Sequence, residues 1–415
     1  MPVITDVKIV KVFTHRGDET VKVTLCAGGV SETAFSPLGK SKGEYEVVYA
    51  PKGNVDEAIK RAKKHLIPKL LGADAEDPCE IDKIVKEVDG TDNMAFIGSC
   101  ISIAVSMAAF KLAARIKAKP IYEMIAVPNS LKLPLPLSNV IGGGRHAEQR
   151  MIPAIQEFLV FPANVPSFYE AVKETLNLYK FICATLRKNN IFYGKTDEGA
   201  LLFKSTSMQA LNLLSTIIEN YYSMHGIDFY MGVDVAASSI WDPRRKVYVH
   251  ADSGKVLDRN GQINFISTII ENFNLKYVED PFHEDDFESF KELQSSYKNT
   301  LICGDDLTAT NVRRLERALE LESCKAVIVK PNQVGLISDT IRFVKLAHER
   351  NIKTVTSHRS GETCDETISD LSIAFASSFV KAGIYGGERI SKLNRLIEIE
   401  ALEKLKLVNI REVIR

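Results

Sequence analysis

Three stretches end in residues that could carry acid–base and metal chemistry together: YVEDPFHEDD from Tyr277, LICGDDLTATN from Leu301 and AVIVKPNQVG from Ala326. Each starts as a short apolar run rich in β-branched residues and stops at a charge followed by a turn former. Such runs read as parallel strands buried on both faces, because covering helices leave no polar alternation. Glu279, Asp305 and Lys330 stand where the runs stop, 26 and 25 residues apart. That step fits one strand, one helix and two loops. In a (β/α)8 barrel the carboxyl ends of the strands share one mouth, so these side chains would converge there. Asp234 ends the run FYMGVD and adds a third carboxylate. Three acids from successive strand ends are hard oxygen ligands of the kind magnesium takes alongside water and substrate oxygens. A lysine in the same partly desolvated mouth would have its pKa lowered and act as a general base. Singly, each acid has an ordinary reading as a helix cap or solvated loop charge, and the lysine as a snorkelling strand end. Three acids opposite a lysine outweigh it.

The elements that must position these residues set the architecture. From about residue 133 the chain alternates strands and amphipathic segments, with strand ends at LPLPLSNVIGGG, IQEFLVFPA, FYMGVDVAAS, LKYVEDPF, LICGDDLT, AVIVKPNQVG, TVTSHRSGE and FVKAGIYGGE. The hairpin-like KVYVHADSGKVLD (246–258) explains why Asp234 and Glu279 lie 45 residues apart. Before that region, ITDVKIVKVF, ETVKVTLCAGG and VSETAF read as an antiparallel meander, followed by helical patterns from Asn54 to Leu71 and from Ser99 to Ala118. The second helix is apolar nearly all round and is expected to be buried. The expected fold is α/β: an N-terminal α+β cap domain over residues 1–130 and a C-terminal (β/α)8 TIM-like barrel over 131–415.

The bulk composition excludes several function classes. The 415 residues are 45% apolar and 26% charged, with Lys+Arg 53 balancing Asp+Glu 53. No net field recruits nucleic acid or an anionic membrane. Seven scattered cysteines without a CxxC pair suit a reducing compartment. MPVITDVKIVKVF lacks a signal-peptide layout, and the most apolar stretch, Cys100 to Phe110, is too short to span a bilayer. The expectation is a cytoplasmic protein with neither nucleic-acid nor membrane partners.

Other constellations belong with the strand ends. His358-Arg359-Ser360 follows the run KTVTS, and an Arg fork beside a hydroxyl makes an anion seat. Lys381 ends SSFVK as Lys330 ends AVIVK. Gln156-Glu157 and Asp197-Glu198 offer further carboxylates, and paired acids in a closed site can hold one proton between them and serve as a general acid. Gly142-Gly143-Gly144 before His146 allows a close backbone approach or a lid. The GKS at 39–41 is no P-loop, since Ala34 stands where that motif needs Gly and no helix pattern follows.

Taken in order, NVIGGGRHA, QEFLVFP, TDEG, DVAAS, EDPFHEDD, GDDLTATN, VKPNQVG, SHRSGETCDETISDL and VKAG…ER resemble the motif set of the enolase family, over essentially the whole chain. The resemblance implies an enolase-type barrel and reversible dehydration of 2-phosphoglycerate to phosphoenolpyruvate, as in glycolysis. Carried over residue by residue, it implies Lys330 as base, and Glu198, assisted by Glu157, as the acid that protonates the departing 3-hydroxyl. His358 is grouped with these catalytic residues. Asp234, Glu279 and Asp305 would hold Mg²⁺. Arg359 and Ser360 would seat phosphate, Lys381 the carboxylate side, and His146 and Gln156 would close over the substrate. A second Mg²⁺ would arrive with substrate, partly on Ser41. A lysine base with one or two magnesium ions is the general scheme of this superfamily. A homodimer or an assembly of dimers is implied as well. The lids depart from the family pattern: Pro37–Gly43 carries Lys40 and Lys42, and the loop before Gln156 carries Arg145 and Arg150. Two alternatives therefore stay open, a lyase acting on another phosphorylated hydroxy acid and a non-catalytic scaffold.

Overall fold

The computed structural model describes residues 2–40, 43–127, 131–144 and 152–414. Strands β1 (Ile4–Phe13), β2 (Glu19–Ala27) and β3 (Val30–Phe35) form the expected antiparallel meander. Val21, Val23 and Leu25 are fully buried on one face of β2, and that alternation explains the pairing register. The helix Ser99–Ile116 packs against β2 and β3 and is buried over most of its length. Its 18 residues are long and apolar enough by composition to cross a membrane, a longer run than Cys100 to Phe110 alone suggests, but 83% of it is buried inside the fold. It is the core of the cap domain.

The remaining strands build the barrel. The run 135–142, written as β4 (Leu135–Pro136) and β5 (Ser138–Gly142), pairs on one side with β6 (Glu157–Pro162) and on the other with the last strand. A hairpin, β7 (Tyr193–Lys195) and β8 (Leu201–Phe203), lies against β5. Then follow β9 (Phe229–Asp234), a three-strand side sheet β10 (Trp241–Asp242), β11 (Val247–His250) and β12 (Lys255–Leu257), and the barrel strands β13 (Tyr277–Glu279), β14 (Leu301–Gly304), β15 (Ala326–Val329), β16 (Lys353–Ser357) and β17 (Phe379–Lys381). Because β17 pairs with β4, the sheet closes on itself. One strand breaks the pure alternation of strand and helix: β6 runs antiparallel to both neighbours. The expected hairpin at 246–258 is β11–β12.

Alternation inside the barrel positions the chemistry. Leu159, Tyr277, Cys303, Ile328 and Phe379 fill one interior layer, closed below by Ile410 and Val413. Val327 and Val329 belong instead to the core beneath the helices. Side chains two residues apart share a face of a strand. The next interior positions above that layer are therefore Glu279, Asp305, Lys330 and Lys381, and, because β6 is reversed, Glu157.

The cap domain also holds the barrel through backbone donors. The helix Ile337–Glu349 has no side-chain cap of its own. Its first amides donate instead to the cap domain: Ile337 N to Ser106 Oγ at 2.9 Å and Ser338 N to Asp82 Oδ2 at 3.0 Å. Unpaired amides at a helix start need such acceptors.

Candidate active site

A cavity of about 220 Å³ opens at the barrel mouth beneath the cap loop, and its walls include Glu157, Glu198, Asp234, Asp305, Lys330 and Lys381. Gln156, His358, Arg359 and Ser360 line it as well. Of the thirteen residues singled out from the sequence, Ser41 and His146 lie outside the described residues.

Glu157, Asp234 and Glu279 stand abreast at the ends of β6, β9 and β13. Like charges side by side are unfavourable, and Lys381 relieves them. Its Nζ lies 2.8 Å from Glu157 Oε2, 3.0 Å from Asp234 Oδ2 and 2.8 Å from Glu279 Oε1. The compensation is partial. Burial, then the neighbouring Asp234, pushes the Glu279 carboxyl up to about 8 against the pull of Lys381. Burial raises Glu157 well above the usual carboxylate range, again against Lys381. Lys381 itself is held far above the ordinary lysine value by the three acids, although burial works the other way. Three oxygen donors around one buried cation are what a hard metal ion requires. Of the expected donor set, Asp234 and Glu279 belong to this ring around the Lys381 ammonium, and Asp305 pairs with Lys330 beside it.

Asp305 and Lys330 form a close ion pair, and Gln333 Nε2 donates to Asp305 Oδ1 at 3.1 Å. The expected lowered pKa of Lys330 is not found: burial would lower it, but Asp305 outweighs burial and raises it. A lysine beside a bare carboxylate keeps its proton. Burial raises Asp305 in turn, and Lys330 more than cancels it, so this carboxyl is depressed.

His358 Nε2 faces Glu198 Oε2 at 3.6 Å, and burial, helped by Arg389, lowers the imidazole to about 4. Arg359 is gripped by Glu46 from the cap loop at 2.9 and 3.1 Å and by Asn332 at 3.1 Å. Ser360 Oγ accepts from Lys40 N at 2.7 Å and from Arg16 at 3.1 Å. Gln156 Oε1 is buried with no hydrogen-bond partner among the described residues. Of the lid cations, Lys40 Nζ lies 3.5 Å from Asp197, whereas Lys42, Arg145 and Arg150 lie outside the described residues.

Several residues at this mouth carried no separate signal in the sequence. Asp280, whose backbone is left-handed at φ +41°, accepts from Asp305 N at 3.0 Å and Asp306 N at 2.7 Å. Asp280, Asp305 and Asp306 bring oxygens within 4.8 Å of one another. The motifs EDP and GDD contain all three, and the strand-end rule applied one residue further would have added Asp280 and Asp306. Glu46 had no such signal, being far away in sequence and joined only through the tertiary fold.

Comparison with known proteins agrees with this geometry. The family profile "Enolase, N-terminal domain" matches residues 4–125, and "Enolase, C-terminal TIM barrel domain" matches 130–407. The enolase of Pyrobaculum aerophilum is 40% identical over 95% of this chain and 96% of its own. That of Archaeoglobus fulgidus is 39% identical over 98% and 100%, and that of Methanosphaera stadtmanae 39% over 96% and 97%. The family implies a metal cofactor, and the oxygen donors at the mouth are suited to one. The chain belongs to the enolase family.

Proposed function

We propose that this chain is a phosphopyruvate hydratase that interconverts 2-phosphoglycerate and phosphoenolpyruvate, with the residues at the barrel mouth in the following roles. The supporting observation is that one small cavity gathers a lysine, an acid pair and an Arg–Ser seat around a surplus of carboxylates. Magnesium held by Asp234, Glu279 and Asp305 would supply Lewis-acid stabilisation of charge on the substrate carboxylate, with a second ion arriving with substrate and partly held by Ser41. Lys330 removes the C2 proton. Asp305, when committed to holding that ion, would no longer keep Lys330 protonated, and the lysine could then serve as a base. Glu198, with Glu157 beside it, gives a proton to the leaving 3-hydroxyl, and burial raises Glu157, so the pair retains a proton for this step. Arg359 and Ser360 seat the phosphate, Lys381 steadies the carboxylate side, and His146 and Gln156 close over the substrate.

We further infer a cytoplasmic homodimer or assembly of dimers, with the cap domain ending near residue 130. The test is the ultraviolet absorbance of phosphoenolpyruvate with purified protein, 2-phosphoglycerate and magnesium, and a chelator control. A chelator-sensitive rise is expected. A flat trace from folded, magnesium-binding protein would refute this substrate.

A further inference from the structure

Arg389 lies in the first turn of the helix Gly387–Glu403 and is completely buried. It is absent from the residues that line the cavity, yet its guanidinium reaches three successive residues of the loop after β16. NH1 donates to His358 Nδ1 at 2.7 Å and to the Arg359 carbonyl at 2.7 Å, and NH2 donates to the Ser360 carbonyl at 2.7 Å. The fold makes room for this contact. Gly383, at φ +72°, lies so close that a Cβ there would sit 3.2 Å from Arg389 Cγ and 3.3 Å from His358 Cε1.

A guanidinium only donates hydrogen bonds and stays charged. The ring nitrogen facing it must therefore be the acceptor, which leaves the imidazole proton on Nε2. That nitrogen faces Glu198 Oε2. We infer that Arg389 is a positioning residue that fixes His358 as the neutral Nε2–H tautomer, so that the proton on Glu198 cannot pass to the histidine. This rests on the reading of Glu198 as the acid. A histidine able to accept at Nε2 would draw that proton away from the leaving hydroxyl. With Nδ1 facing a fixed positive charge, a second ring proton is opposed. Among the described residues, the charged groups bearing on the ring include Arg389, Glu198 and Glu362, and Glu362 is itself paired with Lys392 at 3.0 Å. Arg389 thus removes the histidine as a competing acceptor for that proton.

The test is the ¹⁵N NMR signature of the His358 ring in labelled full-length protein. Wild type is expected to show an unprotonated Nδ1 and a protonated Nε2 throughout about pH 5–8, the range in which an ordinary histidine titrates. In Arg389→Met and Arg389→Gln, which remove the fixed charge, His358 is expected to titrate within that range, and kcat to gain an acidic limb of about tenfold per pH unit below roughly pH 6.5. The double variant Arg389→Gln/His358→Gln is expected to lose that limb. Wild-type His358 protonated on Nδ1, or titrating with Arg389 in place, would overturn the inference, as would folded Arg389 variants with an unchanged tautomer and profile. Should those variants fail to fold, the wild-type spectrum still decides. The spectrum requires no turnover. An Nε2–H ring in an inactive protein would therefore count against the proposed reaction and leave the tautomer assignment standing.

Discussion

Gly39→Ala tests whether the cap loop and the anion seat fit as closely as the structure indicates. A Cβ at residue 39 would lie 1.8 Å from Arg359 NH2. Real Cβ contacts essentially never fall below 3.0 Å, so the guanidinium must move by at least about 1.2 Å. Such a tip could ordinarily swing aside, but here it is buried and bound to Glu46 and Asn332. Moving it stretches the 3.1 Å contact of NH2 to Glu46 Oε1 to roughly 4 Å, beyond hydrogen-bond range. Loss of a charge-assisted hydrogen bond costs about 1.5–3 kcal/mol. Displacing a substrate-positioning group by about 1 Å costs on the order of 10²-fold. The expected result is a fall of about that size in kcat/KM, read from phosphoenolpyruvate absorbance, with a lower Tm. Gly194→Ala is the control, since its Cβ would meet nothing within 4 Å. A Gly39→Ala protein with wild-type kcat/KM and Tm would refute the close fit.

Lys330→Ala is expected to abolish turnover and, because Asp305 loses its competing cation, to tighten substrate-free magnesium binding in calorimetry; retained activity would eliminate Lys330 as base. Lys381→Met strips the countercharge from Glu157, Asp234 and Glu279, at a cost of about 3–5 kcal/mol. Added magnesium should return part of that stability by mass action, and a melt indifferent to the ion would argue against the metal site. Burial pushes the Asp82 carboxyl from 3.8 to about 6. The unfolded chain therefore releases this proton first, so stability falls as pH rises between those values, by an upper bound of about 3 kcal/mol. Asp82→Asn, which can still accept from Ser338 N, should flatten that slope and melt no lower than wild type above pH 6; denaturant titrations at several pH values would reveal an unchanged slope if the attribution is wrong.

The strand ends were legible because a fully buried strand has a plain signature. AVIV, LICG and FYMGVD are continuous apolar runs, and the first charge after each must lie at an end of the barrel. Which end β6 presents was not legible, since an apolar run carries no direction; only pairing with β5 and β9 reveals that Glu157 enters the mouth from an amino end. The protonation of Lys330 departs from the sequence expectation for a related reason. Sequence places Lys330 near Asp305 but cannot say that the two touch, and contact reverses the sign that burial alone would give. Glu46 and Arg389 went unnoticed as partners because neither sits in a strand-end pattern. Their importance comes from what the tertiary fold brings against them.

The two amides at the start of the helix Ile337–Glu349, which Ser106 and Asp82 satisfy, make the two domains one cooperative unit. A barrel separated from its cap would expose unsatisfied donors a few residues beyond Lys330, in the segment that carries Gln333 to Asp305. Opening of the cap should therefore be felt in the hydrogen exchange of that helix, and the protein should melt in a single transition. Dividing the chain near residue 130 would then yield neither half in native form, even though each half matches a family domain of its own.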